Sequence, residues 1–122
     1  MTRRSAKPLV RRARADADVG EAVDYYYLAE SPAVALRFVD ALEAAYRHIR
    51  RTPHAARRTP STGSPRYAHE LNLPGLRSWP CKRYPYLVFY VELADSIDVW
   101  RVLHTRRDIP RWLHDGGDPT AR

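Results

Sequence analysis

The stretch that decides the fold is Tyr86-Leu87-Val88-Phe89-Tyr90-Val91-Glu92, in which every residue except the last is aliphatic or aromatic. β-Branched and aromatic side chains favour strands, and a run that is apolar on both faces is typical of a strand in the centre of a sheet. The turn-forming residues Ala94-Asp95-Ser96 follow, and Ile97 to His104 then predicts a partner strand. We therefore expect an antiparallel hairpin at the centre of a sheet.

Two more strands are predicted immediately before this hairpin. Arg66 to Leu73 is interpreted as one strand, Pro74-Gly75 as a turn, and Leu76 to Arg83 as a second strand that Pro80 interrupts. Residues 53–65 are rich in Pro, Gly, Ser and Thr and predict a loop.

Further towards the N-terminus the apolar spacing changes to steps of three and four, which predicts two helices. The first is expected to begin at Asp16 or Asp18 as N-cap and to run to about Glu30. The second is expected to begin at Ser31-Pro32, because serine caps a helix and proline fits its first turn, and to end before Pro53. The apolar stripes are Val19, Ala22, Val23, Tyr26 and Tyr27 in the first helix, and Val34, Phe38, Leu42, Ala45 and Ile49 in the second. The short connection predicts an antiparallel helical hairpin.

The two ends of the chain complete the expected architecture. Leu9 to Arg14 alternates weakly and is interpreted as a short strand. Asp108 and Pro110 favour a last short helix, with Trp112 and Leu113 packing inward. The predicted class is α+β: a helical hairpin on a small antiparallel sheet, in the order β-α-α-β-β-β plus a short C-terminal helix. We expect one domain over residues 1–115 and a flexible tail over residues 116–122.

The charge of the chain points to an acidic partner. The 122 residues carry a formal net charge of +7, which suits nucleic acid, a nucleoprotein complex or an acidic polypeptide. Nearly all the cations are arginine, a bias that a GC-rich genome would also produce. A single cysteine, Cys81, excludes an intramolecular disulfide and favours a reducing compartment. With no apolar signal region behind the basic N-terminus, we expect a cytoplasmic protein.

Several kinds of site are not expected from the sequence. The histidines lack metal-ligand spacing and one cysteine cannot build a zinc site, so no metal or other cofactor is predicted. Gly63 and Gly75 do not form a phosphate-binding loop. Cys81 lies beside Lys82 and Arg83, which could lower its pKa, but a packed small residue is the more usual role.

The order of elements, in a basic chain of this length, resembles the ParE/RelE toxin fold. Short pieces of the second half resemble the ParE branch: Arg66-Tyr67, Glu70-Leu71, Leu73-Pro74-Gly75-Leu76-Arg77, Arg83-Tyr84-Pro85-Tyr86, Val88-Phe89-Tyr90 and Arg101-Val102-Leu103-His104, then Arg107-Asp108-Ile109. Tyr25-Tyr26-Tyr27 before the second helix fits as well, and the likeness covers residues 9–113. No single piece is specific, but their order and spacing together are.

The resemblance implies the toxin of a type II toxin–antitoxin system, wrapped by the C-terminal segment of a co-expressed antitoxin. For the ParE branch it implies binding and poisoning of DNA gyrase, without catalysis, and neutralisation by a ParD-like antitoxin. For the RelE branch it implies cleavage of mRNA in the ribosomal decoding site. An inactive relative that only binds its antitoxin is a third alternative.

The nuclease alternative needs a base, a cation near the phosphate and an acid for the leaving oxygen. The residues that could supply these groups are Glu70, Arg101 and His104. Against it, the aromatic residue that follows the histidine in such nucleases is Thr105 here. Structural roles are also open: His104 can bond the backbone or Asp108, and Glu70 can pair with Arg77 or Arg83.

The binding alternative, which we favour, uses large amphipathic and cationic side chains. The target is expected to contact Arg77, Trp79, Arg83, Arg101, His104, Arg106 and Arg107. The antitoxin is expected to bind a groove formed partly by Tyr26, Tyr27, Phe38 and Leu42. The alternative for these four residues is that they face only the sheet. Trp100 and Trp112 are expected to pack in the core.

Overall fold

Seven helices and strands are seen in a computed structural model, which describes residues 7–51, 64, 66–106, 109, 111 and 113. In chain order they are β1 (Leu9–Arg11), α1 (Ala13–Ala29), α2 (Pro32–Arg51), α3 (Arg66–Leu71), β2 (Leu76–Pro80), β3 (Tyr86–Glu92) and β4 (Ile97–His104). The expected α+β class, with a helical hairpin against a small sheet, is confirmed.

The four strands lie in the order β1-β4-β3-β2. The pairs β2–β3 and β3–β4 are antiparallel, as expected from the central hairpin. The prediction of a purely antiparallel sheet is wrong at one edge, because β1 runs parallel to β4 with Leu9 opposite Ile97. The reason is the crossover: α1 and α2 lie between β1 and the other strands, and such a long connection permits parallel pairing.

The two helices of the hairpin differ in how their N-termini are capped. At α2 the prediction is confirmed, since the Val34 N–H donates to Ser31 Oγ over 3.2 Å. At α1 it is wrong: the helix already begins at Ala13, and Arg12 is an N-cap without a side-chain bond to the backbone. Asp16 instead pairs with Arg11 over 2.7 Å. Asp18 also lies inside the helix, and its carboxylate pairs with Arg101 of β4.

The first core fills the space between the helical hairpin and one face of the sheet. Its buried members include Ala22, Phe38, Leu42, Ala45, Ile49, Val88, Tyr90, Val99 and Val102. The stripe at steps of three and four on α2 therefore supplies the helix side of this core, as the sequence predicts.

The second core lies on the opposite face of the sheet and overturns one predicted strand. Residues 66–71 form helix α3, whose Tyr67, Ala68 and Leu71 pack against a buried cluster. That cluster consists of Leu76, Phe89, Leu103, Ile109 and Leu113. A helix of six residues carries too few periods to distinguish it from a strand by pattern, so tertiary packing decides its form. Trp100 is half-buried against the same cluster, as expected.

Two tight turns define the ends of β2. Pro74-Gly75 forms the predicted turn, with the Leu76 N–H bonded to the Leu73 carbonyl over 3.2 Å and Gly75 at a φ of 83°. At the other end the strand stops at Pro80, three residues earlier than predicted, because residues 81–84 turn: the Tyr84 N–H bonds the Cys81 carbonyl over 3.0 Å. Arg83 takes a positive φ of 74° within this turn.

The remaining predictions concern the C-terminus and the loop before α3. Ile109 and Leu113 are helical and buried, which agrees with the expected last helix. Asp108, Pro110, Trp112, the tail and most of residues 53–65 lie outside the described residues. Within the part of the chain that the structure describes, no helix is both long enough and apolar enough to span a membrane.

Candidate functional site

Arg101, expected to contact the target or a phosphate, is buried in an ion pair. The β3–β4 register shifts at Phe89/Tyr90, and the Arg101 side chain reaches Asp18 of α1. Its Nε and Nη2 donate to the two carboxylate oxygens of Asp18 over 2.8 and 2.7 Å. Asp18 also accepts the Val102 N–H over 3.0 Å. With 1% of its surface exposed, Arg101 joins β4 to α1 instead of reaching the surface.

His104 lies at the end of β4, on the same face of the sheet as the helical hairpin. Its Nδ1 accepts the Arg106 N–H over 3.0 Å, so the ring bonds the backbone, one of the structural roles that the sequence leaves open. The ring also meets Tyr86 edge-on, with centroids 5.0 Å apart. Because Nδ1 is an acceptor here, a neutral imidazole would carry its proton on Nε2.

Glu70 is far in the fold from that histidine. It is exposed on α3 and accepts from Arg66 over 3.3 Å, one turn earlier, rather than from Arg77 or Arg83. Helix α3 packs on the face of the sheet opposite the helical hairpin, whereas His104 lies on the hairpin face. The three residues considered for RNA cleavage are therefore not assembled into one site.

The first surface depression, the α1–β4 cleft, has a volume of about 500 Å³. Its walls are Asp18, Glu21, Ala22 and Tyr25 of α1, facing Tyr86, Val102, Leu103, His104 and Arg106. Arg106 is exposed at its rim, so this member of the expected target surface is accessible. Arg107, the other cation expected there, lies outside the described residues.

The second depression, the α2–β2 groove, has a volume of about 800 Å³. Its lining residues are Arg37, Asp40, Ala41, Ala44, Ala45 and His48 of α2, with Trp79, Pro80, Lys82, Arg83 and Tyr84 opposite. The rings of Trp79 and His48 stack with centroids 4.1 Å apart and planes inclined by 17°. Trp79 and Arg83, both expected at the target surface, are thus brought together here, and His48 is a member that the sequence did not indicate.

Arg77 lies on β2 directly opposite Tyr90 of β3. It is half-buried, and its Nε has no hydrogen-bond partner among the described residues. Burial raises the pKa of the Tyr90 hydroxyl, and the nearby Arg77 charge opposes that rise. Arg77 is therefore packed partly against the sheet and is not a fully exposed surface cation.

The four residues expected to bind an antitoxin have very different exposure. Phe38 and Leu42 are buried in the first core, at 0% and 3% exposed. Tyr26 is half-buried against Phe38 and Tyr84, at centroid distances of 5.3 and 5.4 Å, and burial raises the pKa of its hydroxyl to about 12. Tyr27 alone projects outward, with 55% of its surface exposed.

Other exposed apolar side chains surround Tyr27 in the sequence near the α1–α2 connection. They are Tyr25, Leu28 and Leu36. Because Tyr25 lines the α1–β4 cleft, we call only Tyr27, Leu28 and Leu36 the hairpin-tip patch. The exposure of Tyr25, Leu28 and Leu36 does not follow from the sequence pattern, because these residues lie outside the apolar stripes of the two helices.

Among the described residues, no group of three or more His, Cys, Asp or Glu side chains could hold a metal ion. The one described thiol, Cys81, is buried, and burial raises its pKa to about 11. The neighbouring cations therefore do not activate it.

Comparisons with known proteins agree with this fold. A chain of the chromosomal ParDE TA system from P. aeruginosa superposes with a TM-score of 0.65 at 20% sequence identity, covering 81% of this chain and 96% of that one. No curated protein matches significantly. The model of the family described as the ParE toxin of the type II toxin–antitoxin system parDE matches residues 9–109. With most of its length matched, the chain belongs to the ParE toxin family of type II toxin–antitoxin systems.

Proposed function

We propose that this ParE-family toxin inhibits DNA gyrase by binding it, without a catalytic step, and is neutralised by a ParD-like antitoxin. The observation that carries the non-catalytic part is the ion pair between Arg101 and Asp18. A phosphate or transition state would have to compete with a bidentate carboxylate for a guanidinium that is 1% exposed.

The separation of the remaining candidate groups supports the same proposal. A general base and a general acid must both reach the reacting atoms, but Glu70 and His104 lie on opposite faces of the sheet. The features that do reach the surface suit binding: the cationic rim and stacked rings of the α2–β2 groove, and the apolar hairpin-tip patch.

We assign the hairpin-tip patch to the antitoxin. Isolated exposed apolar residues are normal, but several close together mark a contact surface. Tyr27 and Leu28 are consecutive residues near the end of α1, and each is more than half exposed. An amphipathic antitoxin segment that folds on binding would cover them.

Purified toxin with purified gyrase tests the proposal. We expect loss of supercoiling and accumulation of cleaved DNA, both reversed by the antitoxin, because a bound toxin would stall the enzyme. A cell-free translation reaction serves as the second arm. Cleavage of mRNA that depends on translation and disappears in His104→Ala would instead favour the ribosome-dependent nuclease. If neither activity occurs and expression without antitoxin is harmless, the protein is an inactive relative.

A cytoplasmic location is part of the proposal, since gyrase acts on chromosomal DNA. The buried thiol of Cys81 is compatible with a reducing compartment.

A further inference from the structure

The α2–β2 groove has a floor made of small side chains. Ala41, Ala44, Ala45 and His48 follow one another on α2 at helical spacing and line the groove together. Alanines at these positions let another element approach the axis of α2 closely, since the distance between packed helices depends on the side chains at the contact. Trp79, Pro80 and Tyr84 form the opposite wall. The shape of the groove therefore suits a bound helix.

The stacked rings of Trp79 and His48 provide a rigid contact site inside the groove. Both rings line the groove, and their nearly parallel stacking, at 4.1 Å and 17°, fixes the tryptophan in one orientation. A tryptophan that is half-buried and held in place presents a large apolar area at little further cost in conformational entropy.

Among the described residues, three cations and a single carboxylate line the groove: Arg37, Lys82 and Arg83, and Asp40. All three cations are exposed, and none of them forms an ion pair with another described residue. A groove with an apolar floor and cations at its edge is complementary to a helix that has one apolar face and one acidic face.

Arg83 adds an independent observation, because its backbone has a φ of 74°. A residue with a β-carbon pays strain in this left-handed region, where glycine or asparagine is usual. A large cation at such a position projects from the turn at residues 81–84 into the groove. The turn itself would be satisfied by glycine, so the fold does not require arginine there.

We propose that the α2–β2 groove is the surface with which the toxin grips its target, and that its occupant is an acidic amphipathic helix of the target protein. This inference rests on the proposed function and deepens it. The hairpin-tip patch, which is apolar, remains for the antitoxin, so the two partners have chemically different surfaces.

The test uses two charge-reversal variants of the full chain with equal change in net charge. Lys82→Glu/Arg83→Glu alters the groove, whereas Arg14→Glu/Arg47→Glu alters two exposed arginines that do not line it. Affinity for gyrase and for the antitoxin is measured for both by calorimetry. We expect the groove variant to lose at least about 10-fold in gyrase affinity, as for a hot-spot contact, and the control to change less than about threefold. Antitoxin affinity stays within about threefold in both.

Arg83→Gly keeps the inference testable should the double reversal disturb the fold. Glycine suits the positive φ, so we expect an unchanged or higher melting temperature together with weaker gyrase binding.

Each other outcome contradicts the inference. Equal losses in the groove and control variants would indicate long-range electrostatics only, and unchanged gyrase affinity in the groove variant would remove the groove from the interface. A selective loss of antitoxin affinity would assign the groove to the antitoxin. If wild-type toxin fails to bind gyrase, the proposed function fails first and the groove assignment with it.

Discussion

The α1–β4 cleft and the α2–β2 groove flank the same helical hairpin, yet they use their charges in opposite ways. In the cleft, Asp18 binds Arg101 and His104 bonds the backbone of Arg106, so the charged and polar groups hold the fold together. In the groove, Lys82 and Arg83 are exposed and form no ion pair with another described residue. The comparison teaches that a family-like motif such as Arg101-Val102-Leu103-His104 can be a structural element, while exposed cations line a different surface.

The largest expected effect concerns the ion pair of the cleft. Asp18→Ala leaves the guanidinium of Arg101 buried without its counter-ion, which should cost about 3–5 kcal/mol in the free energy of unfolding. Urea denaturation measures the loss. The control is Asp24→Ala on the same helix, where the side chain is exposed and we expect about 0.5 kcal/mol or less. A loss below about 1 kcal/mol for Asp18→Ala would mean that the cleft is not held by this pair.

The reactivity of Cys81, next to the groove, tests whether the side chains of Lys82 and Arg83 face its sulfur. If Lys82 and Arg83 faced Cys81 they would lower its pKa, but burial raises that pKa from 9.0 to about 11. Folding favours the protonated thiol and also buries the sulfur, so alkylation by iodoacetamide at pH 8 should be at least about 100-fold slower than that of an ordinary thiol.

The rate should rise with pH up to about 11, provided that the protein stays folded. The sign for stability follows from the same shift: the folded state holds the proton between pH 9 and 11, so the thiol's contribution to stability is present below pH 9 and is lost as the pH rises through that interval. Fast alkylation at pH 7 would place the cations against the sulfur and contradict the raised pKa of the thiol.

Substitutions of Tyr27 and Tyr26 compare an exposed with a packed tyrosine on the same helix. Tyr27→Ala should weaken antitoxin binding about 10-fold, roughly 1.4 kcal/mol, and barely change fold stability, because the side chain is 55% exposed. Tyr26→Ala should mainly lower the melting temperature, since that ring packs against Phe38 and Tyr84. Titration calorimetry and thermal denaturation of both variants measure the two effects. A Tyr27→Ala variant that loses stability but keeps its affinity would exclude the hairpin-tip patch as the antitoxin surface.

The smallest expected effect is a gain. Arg83→Gly should relieve the strain of the positive φ at residue 83, offset in part by the greater freedom of glycine in the unfolded chain, for a net stabilisation of up to about 1 kcal/mol. Chemical denaturation of Arg83→Gly beside Lys82→Gly provides the comparison. If Arg83→Gly destabilises the fold by more than Lys82→Gly does, the arginine has a structural role and its link to the groove is weakened.

The parts of the fold that sequence predicts best are those fixed by local chemistry. The central strand, the Ser31 cap of α2 and the Pro74-Gly75 turn each follow from residues within a few positions of one another. Helix α3 was mistaken for a strand because six residues show no clear period, and its form depends on packing against Phe89 and Leu103.

The site was harder to predict, because its decisive contacts join distant parts of the chain. Arg101 and Asp18 are 83 residues apart, and no local pattern in the sequence links the two side chains. Asp18 was therefore interpreted as a helix cap and Arg101 as a surface cation. The stacking of His48 on Trp79 was equally hidden, since each residue alone is compatible with ordinary packing.

The most direct measurement compares two variants in one gyrase supercoiling assay with purified proteins. His104→Ala tests the motif of the cleft and Lys82→Glu/Arg83→Glu tests the groove, both at concentrations where wild-type toxin inhibits fully. We predict that His104→Ala still inhibits gyrase and that the groove variant does not. Inhibition lost in His104→Ala and retained in the groove variant would contradict the assignment of the two surfaces.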